Sequence, residues 1–550
     1  MRLDYFPMKY AMLMGLAVVA LANFASADIR FKNIYQNNMV LQANDTNTIA
    51  GWTEPEKAVE VKVYATSKDG KKAEFKVQTK SDKRGLWKAE IKQKFPKRTN
   101  LEITATSDSG TAKISNVITG ELWMGSGQSN MEWHFGNASI DRAYRDKYEQ
   151  DAQNSNGDIR IFRTQHIILP EQIEEVCGDW RIISKNIHHG DVSQVCYIFA
   201  SLISKALDTP VGVINSSWGG SRIEPWISRK AFENSPECKK FIDKLDEDVA
   251  NFEKLRANYI ANYPKWLEQN PNWTLQNKNG KTRPQQPIDV ISRNDQPTCM
   301  YNAMINGIAP LSPRGVLWYQ GESNAGQPYE YGDLKKLMVN SWRKLFKRDF
   351  YFYYVELAAF TDTQKQPVQK GSWGAIREAQ AEVLDLPKTG VVTSIDNGGS
   401  KVGGQGDIHP PHKELVATRL AKLALAQVYK RGNEKDAISP YFKDYKIDGD
   451  KIIVTIANAN GLRKMANVEK LQGFAIRGSD NNNWKWADAE IKGDKIIISS
   501  PEVPEPKAAR YAWASWPLIS VENKNGLPLR PFSTDHGAYL DYGKPVPQDK

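Results

Sequence analysis

The chain has 550 residues, 40% hydrophobic and 25% charged, which is ordinary for a globular protein and too long for a single hydrophobic core. About two to four domains are expected from that length. The formal charge of +10 is a mild bias at this size, and no Lys/Arg cluster alternates with aromatics as a nucleic-acid groove requires, so nucleic acid is excluded as an expected partner.

Residues 1–27 have the layout of a secretory signal peptide. Arg2 and Lys9 precede the apolar run Ala11 to Ala22, and Ala25-Ser26-Ala27 places small residues where signal peptidase reads, with cleavage expected before Asp28. The run is shorter than the ~20 residues that span a bilayer, and no cysteine follows it to carry a lipid. An exported protein, periplasmic or secreted and without a membrane anchor, is therefore expected. Removing the segment takes away two cations (Arg2, Lys9) and one anion (Asp4), leaving +9.

Residues 28–115 read as an N-terminal β-sandwich-like domain. Val59, Val61 and Val63 alternate with polar neighbours, and Leu86 to Ile91 and Leu101 to Ala105 keep the same period of two. Turn clusters at Lys68-Asp69-Gly70 and Asp82 to Gly85 separate these runs. From 116 to 432 the pattern changes to near-continuous apolar runs (Val211 to Ile214, Gly315 to Tyr319, Tyr351 to Leu357, Gly390 to Ile395) alternating with helix-like stretches. That alternation predicts a parallel sheet covered on both faces. Within it, about 228–295 reads as an insertion, with an amphipathic helix over Cys238 to Ile260 and a polar loop from Asn270 to Pro287. Lys413 to Lys430 is a further predicted helix. From 433 to 550 the period of two returns, at Lys451 to Ile456, Phe474 to Ile476 and Lys495 to Ile498, which predicts a C-terminal all-β domain. Cys177, Cys196, Cys238 and Cys299 are even in number, but none form the close pair of a zinc site and no disulfide pairing follows from their spacing. Cys196 reads as a small buried hydrophobe.

The chemistry is carried by four loops that follow predicted strands. Ser129 lies in Gly125-Ser126-Gly127-Gln128-Ser129-Asn130-Met131, directly after the apolar run ending at Met124. A glycine-flanked serine at a strand's carboxyl end presents its hydroxyl where α/β enzymes bind ligands. Acyl transfer by serine also needs a base, a group that orients the base, and donors for the oxyanion. With seven histidines in the chain, the base can be sought by elimination. His188 and His189 are adjacent in a polar loop, His134 and His166 have no acidic residue at a useful local spacing, and His536 lies near the C-terminus. His409, in Gly406-Asp407-Ile408-His409-Pro410, sits at a strand-to-helix loop beside Asp407. Oxyanion donors have candidates in Asn215-Ser216-Ser217-Trp218-Gly219-Gly220 and in Trp318-Tyr319-Gln320-Gly321-Glu322-Ser323-Asn324.

Those segments, with Gly127-Gln128-Ser129-Asn130-Met131-Glu132-Trp133, resemble the SGNH (GDSL-like) hydrolases and, within them, the sialate O-acetylesterase family. The likeness extends to Asn38-Met39-Val40-Leu41-Gln42 and Arg510-Tyr511-Ala512-Trp513-Ala514, so it covers nearly the whole mature chain. The resemblance implies an α/β fold, the SGNH doubly wound parallel sheet, flanked here by the N- and C-terminal all-β domains. It implies Ser129 as nucleophile, His409 as base with Asp407 as orienter, and an oxyanion hole of the Ser129 N–H, a Gly219 N–H (Gly220 is the rival) and the Asn324 amide. Trp218, Arg222, Gln320 and Glu322 are the candidate substrate-binding residues, and Trp133 and Trp226 lie close enough to stack on a sugar.

The implied reaction removes acetyl groups from sialic acids on glycans through an acetyl-enzyme, with no metal or organic cofactor. The same chemistry on acetylated xylan or pectin, and a non-catalytic glycan-binding role, are the alternatives. Two departures from the SGNH pattern matter: Gln stands at 128 where Asp is usual, and Asp407 precedes His409 by two residues rather than three. A backbone carbonyl or Asp396 can take the orienting role instead.

Overall fold

The computed structural model describes residues 28–544 apart from 138–139, 186, 188–191, most of 272–292, 370–371, 399–400, 403–404 and 481–482. The segment expected to be a signal peptide, His188 and His189, and most of the loop expected at 270–287 lie outside the described residues. The described residues divide into two compact units, one running to residue 121 with 179–181, the other covering 122–178 and the described residues from 182 onward.

The first unit is built from two sheets. One contains β1 (Asn47–Trp52), antiparallel to β4 (Leu86–Ile91). The other contains β2 (Ala58–Thr66) between β3 (Lys72–Lys80) and β5 (Asn100–Ser107), and β5 pairs with the first part of β6 (Gly110–Gly127). Val59, Val61 and Val63 on β2 are fully buried while their polar neighbours are not, which is the alternation of a half-buried strand.

In the second unit the last residues of β6 enter a parallel sheet with β7 (Ile159–Thr164), β8 (Val211–Ser217), β9 (Gly315–Tyr319), β10 (Tyr351–Glu356) and β11 (Thr389–Thr393), in the order β7-β8-β6-β9-β10-β11. Gly315 to Tyr319 run parallel to Trp123 to Gly127 on one side and to Tyr351 to Tyr354 on the other. Every residue of β8 and β9 is buried, as strands covered on both faces require. The covering is visible at two neighbouring tyrosines of β10, which point to opposite faces. Tyr353 meets Trp123, which packs on Phe199 of α2 (Gln194–Leu207), and Leu423 of α6 (Glu414–Gln427) also reaches that face. Tyr354 lies instead under the ammonium of Lys335 on α4 (Pro328–Phe346), 3.1 Å from its ring centroid. α4 packs in turn on α5 (Ser372–Ala381). The chain leaves β6 for β8 and β7 on one side and for β9, β10 and β11 on the other, so the carboxyl end of β6 is a topological switch point, where ligands bind.

Helix ends follow their sequence. Asp141 caps α1 (Arg142–Gln153) by accepting from the Tyr144 N–H, and Ser193 caps α2 at Cys196. The helix read over Cys238 to Ile260 is α3 (Lys239–Gln269), and it runs through Pro264; Phe241, Leu245 and Val249 form a half-buried stripe next to buried Ile242 and Phe252. The four cysteines are free, with Cys196 fully buried against Gly125.

After α6 the chain forms antiparallel β12 (Tyr441–Asp448), β13 (Lys451–Ala457), β14 (Phe474–Arg477), β15 (Asp488–Lys492), β16 (Lys495–Ser499) and β17 (Ala508–Tyr511). This β-rich part does not stand apart from the parallel sheet. Its core residues Ile452, Val454, Ile496 and Ile498 pack in one cluster with Ile395, which follows β11. Arg377 of α5, buried, donates to the carbonyls of Ala514 and Ser515, and Arg530 forms a buried ion pair with Glu356 of β10 at 2.9 Å.

Candidate active site

β6 ends in Gly127, whose φ of +136° suits glycine, and whose missing side chain would strike the Tyr319 carbonyl at 2.2 Å. The close approach lets the Gln128 N–H bond the Tyr319 carbonyl and the Gly127 carbonyl accept from Trp218 N–H, both at 3.0 Å. Three strand-end loops are thereby tied together around Ser129, which opens the short helix Ser129–Glu132 and is half-buried. The unusual Gln128 has a structural task. Buried, it accepts from the N–H groups of Gly321 and Ser323 through its side-chain oxygen, so it binds the first loop to the third.

His409 approaches from the fourth loop. Its Nε2 lies 2.8 Å from the Ser129 Oγ, although 280 positions separate the two residues. The imidazole stacks on Trp133 with ring centroids 4.4 Å apart and planes 16° from parallel. Burial and the charge of Lys413 push the His409 pKa below its ordinary value, against an opposing pull from Asp407. That shift favours the neutral imidazole, the state in which it can take a proton.

Asp407 does not occupy the expected orienting position. Its Oδ1 accepts from the His409 backbone N–H at 2.9 Å and stays 3.6 Å from Nδ1, outside hydrogen-bond range. Asp396 is no substitute, because both its oxygens are taken by Arg419 at 2.7 Å.

The oxyanion candidates also differ from expectation. Gly219 lies beside the nucleophile, its Cβ position being 3.5 Å from the Ser129 Cβ, but its N–H donates to Glu132 Oε2 at 2.7 Å. A carboxylate already holds that donor. Gly220, exposed with φ +73°, has an N–H with no acceptor among the described residues. The Ser129 N–H stands at the first helical position and has no intrahelical acceptor. Asn324 is buried in the loop wall, where its oxygen accepts from Ile223 N–H and Gln320 Nε2 and its amide donates to Glu224.

Of the expected substrate contacts, two are buried in the framework. Gln320, fully buried, bonds the Ser221 carbonyl, Asn324 and Tyr331. Glu322 accepts from Asn130 at 2.5 Å, and burial raises its pKa. Trp226 is fully buried with its N–H on Ser221 Oγ and is no open sugar platform, and His409 covers one face of Trp133. Arg222 is half-buried and paired with Glu224 at 2.7 Å, which compensates its charge. Trp218 is partly exposed and stacks on His166, with centroids 4.4 Å apart.

The sequence reading did not find Glu132 and His166 as partners. His166 Nε2 lies 2.8 Å from Glu132 Oε1, and Arg163 3.6 Å from the same carboxylate. Burial opposes charge on Glu132, but His166, the Gly219 N–H and Arg163 outweigh it and hold the carboxyl below the usual carboxylate range. His412, also unconsidered, bonds Asp141 and stacks on Tyr144. Among the described residues no cluster of His, Cys, Asp and Glu can hold a metal ion, and no helix is long and apolar enough to cross a membrane.

Comparison with known proteins agrees with this chemistry. Residues 288–418 match the family model described as carbohydrate esterase, sialic acid-specific acetylesterase, a span that contains the third and fourth loops. Over nearly its full length it is similar to sialate O-acetylesterases: that of Mus musculus is 24% identical across 94% of this chain and 96% of the mouse protein. That of Homo sapiens is 24% identical across 93% and 94% respectively. Among solved structures, a carbohydrate acetylesterase from Xanthomonas citri superposes with a TM-score of 0.70 at 26% identity, covering 92% of this chain and 99% of that one. The resemblance read from the loop motifs thus extends over nearly the whole chain, which is an ester hydrolase.

Proposed function

We propose that this chain is a serine esterase of the SGNH type that removes O-acetyl groups from sialic acids. The observation that carries this reading is the 2.8 Å contact between Ser129 Oγ and His409 Nε2 at the switch point of the parallel sheet. Ser129 gives its proton to His409 and attacks the acetyl carbonyl. The Ser129 and Gly220 N–H groups, the two donors left unengaged beside the nucleophile, stabilise the oxyanion. His409 then protonates the departing sugar oxygen, and a water deprotonated by His409 attacks the acetyl-enzyme, His409 returning that proton to Ser129 as acetate leaves. Trp218, partly exposed at the edge of the second loop, offers the sugar a ring face. Residues 1–27 direct the chain to export, and residues 28–115 precede, and the β-rich residues 433–550 follow, the esterase segment along the chain.

Hydrolysis of p-nitrophenyl acetate by wild type, Ser129→Ala and His409→Ala tests the chemistry. Both variants should fall close to background, and undiminished rates in both would end the assignment. Acetate release from O-acetylated sialoglycan set against acetylated xylan tests the sugar. A clear preference for xylan would move the substrate to plant polysaccharide while leaving the mechanism in place.

A further inference from the structure

Asp407 is out of hydrogen-bond range of the imidazole, yet His409 is firmly placed. The contacts that place it come from a buried network next to the nucleophile. Asn130, the residue after Ser129, is buried, and its Nδ2 donates to the Ile408 carbonyl at 3.1 Å and to Glu322 Oε1 at 2.5 Å. Its Oδ1 accepts from Lys413 Nζ at 2.5 Å, and the same ammonium donates to the Pro410 carbonyl at 2.6 Å. Lys413 has no exposed surface, and its backbone N–H bonds the Gln194 side chain. The two carbonyls that flank His409 are therefore both clamped, one by Asn130 and one by Lys413. The ammonium also lies 5.5 Å from the centroid of the Trp133 ring on which the imidazole stacks.

We propose that Lys413, acting with Asn130, is the positioning residue for the base: it fixes the His409 loop against the Ser129 loop through the two carbonyls that flank the imidazole. Burial pushes the Lys413 pKa down to about 7 against the opposing pull of Glu322 and Asp407, and Glu322 is joined to Lys413 through the Asn130 amide. The charged groups acting on His409 are Lys413 and Asp407, of opposite sign, while Glu132 on the Ser129 helix is turned to Gly219, His166 and Arg163. The proposal rests on reading His409 as the base.

The test is the pH profile of kcat/KM for p-nitrophenyl acetate. In wild type the acid limb is the reference for the variants and is expected below the ordinary imidazole value of about 6.5. Lys413→Met should lower kcat by roughly 10²-fold, the cost of a misplacement near 1 Å, with KM little changed and the acid limb moved to higher pH. Lys413→Gln, which keeps a donor for Asn130 and Pro410, should recover part of kcat but show the same displaced limb. Lys413→Arg should return the limb toward wild type. A Met or Gln variant with a native thermal melt and an unmoved limb refutes the role. A His409→Ala variant that stays active would instead remove the base assignment itself, which separates the two failures.

Discussion

Glu132 offers a test in which two readings of the oxyanion site differ in sign. Its carboxylate holds the Gly219 N–H at 2.7 Å. If that N–H also received the oxyanion, two negative oxygens would share one donor, at a separation of about 4 Å. At an effective dielectric of about 20, that repulsion is about 4 kcal/mol, close to 10³ in rate. Neutralising the carboxylate would then accelerate the reaction. The geometry argues the reverse: Glu132 anchors the loop so that Gly220 presents its donor. A charged hydrogen bond of this kind is worth about 1.5–3 kcal/mol, and its loss lets the loop drift. Glu132→Gln should therefore lower kcat for p-nitrophenyl acetate by roughly 10- to 10²-fold, with KM nearly unchanged. Stopped-flow or steady-state release of p-nitrophenol reads this directly, and any increase in kcat refutes the reasoning. Stability gives a second reading. Because the folded state holds Glu132 below the usual carboxylate range, its contribution is complete above about pH 4.3 and is lost as pH falls through the lower folded-state value. The Gln variant should lack that part of the acid-side loss in thermal melts.

Asp407→Asn removes the charge that raises the His409 pKa, so the acid limb of kcat/KM should move to lower pH, whereas Asp396→Asn should leave the limb in place and cost about 1–3 kcal/mol in denaturant unfolding through its lost Arg419 bonds. Arg530→Met strands the Glu356 carboxylate, which is 1% exposed, and should destabilise the chain by about 3–5 kcal/mol; a change under about 1 kcal/mol in urea unfolding would show that the pair does not join the C-terminal β strands to the parallel sheet. Gly127→Ala drives a methyl to 2.2 Å from the Tyr319 carbonyl at a positive φ, and it should abolish esterase activity even where a folded fraction survives by circular dichroism.

What the sequence disclosed depended on how local the cause was. The strands β2, β4, β8 and β9 and the helix α6 follow from hydrophobic period and length alone. The four loops are legible because each comes after an apolar strand-like run, and Ser129 and His409 are legible because their glycine and aspartate neighbours lie within a few residues. The contacts between loops left no such signal. Glu132 reaches His166 across 34 positions and Gly219 across 87, so the occupation of the Gly219 donor could not be read from spacing. Gln320 and Glu322 lie in the right loop but point into the framework, because a side chain's direction at a strand end is set by its packing partners. The 433 boundary marks a change of sequence period, yet Ile395, Arg377 and Arg530 carry one core across it.

The departure at Asp407 has a specific physical cause. An aspartate can reach the backbone N–H two residues ahead of itself and close a local turn, and Asp407 does so with His409 at 2.9 Å. That bond points its Oδ1 at the backbone and leaves Nδ1 at 3.6 Å. A spacing of three would place the carboxylate beyond the turn and free it for the ring; a spacing of two commits it to shaping the loop. Holding the imidazole then falls to surfaces that do not need a hydrogen bond to Nδ1. Trp133 fixes the ring plane, and Asn130 and Lys413 fix the carbonyls on either side. Since Asn130 and Trp133 belong to the same segment as Ser129, nucleophile and base are located by one rigid turn, and their 2.8 Å contact survives without a conventional orienting carboxylate.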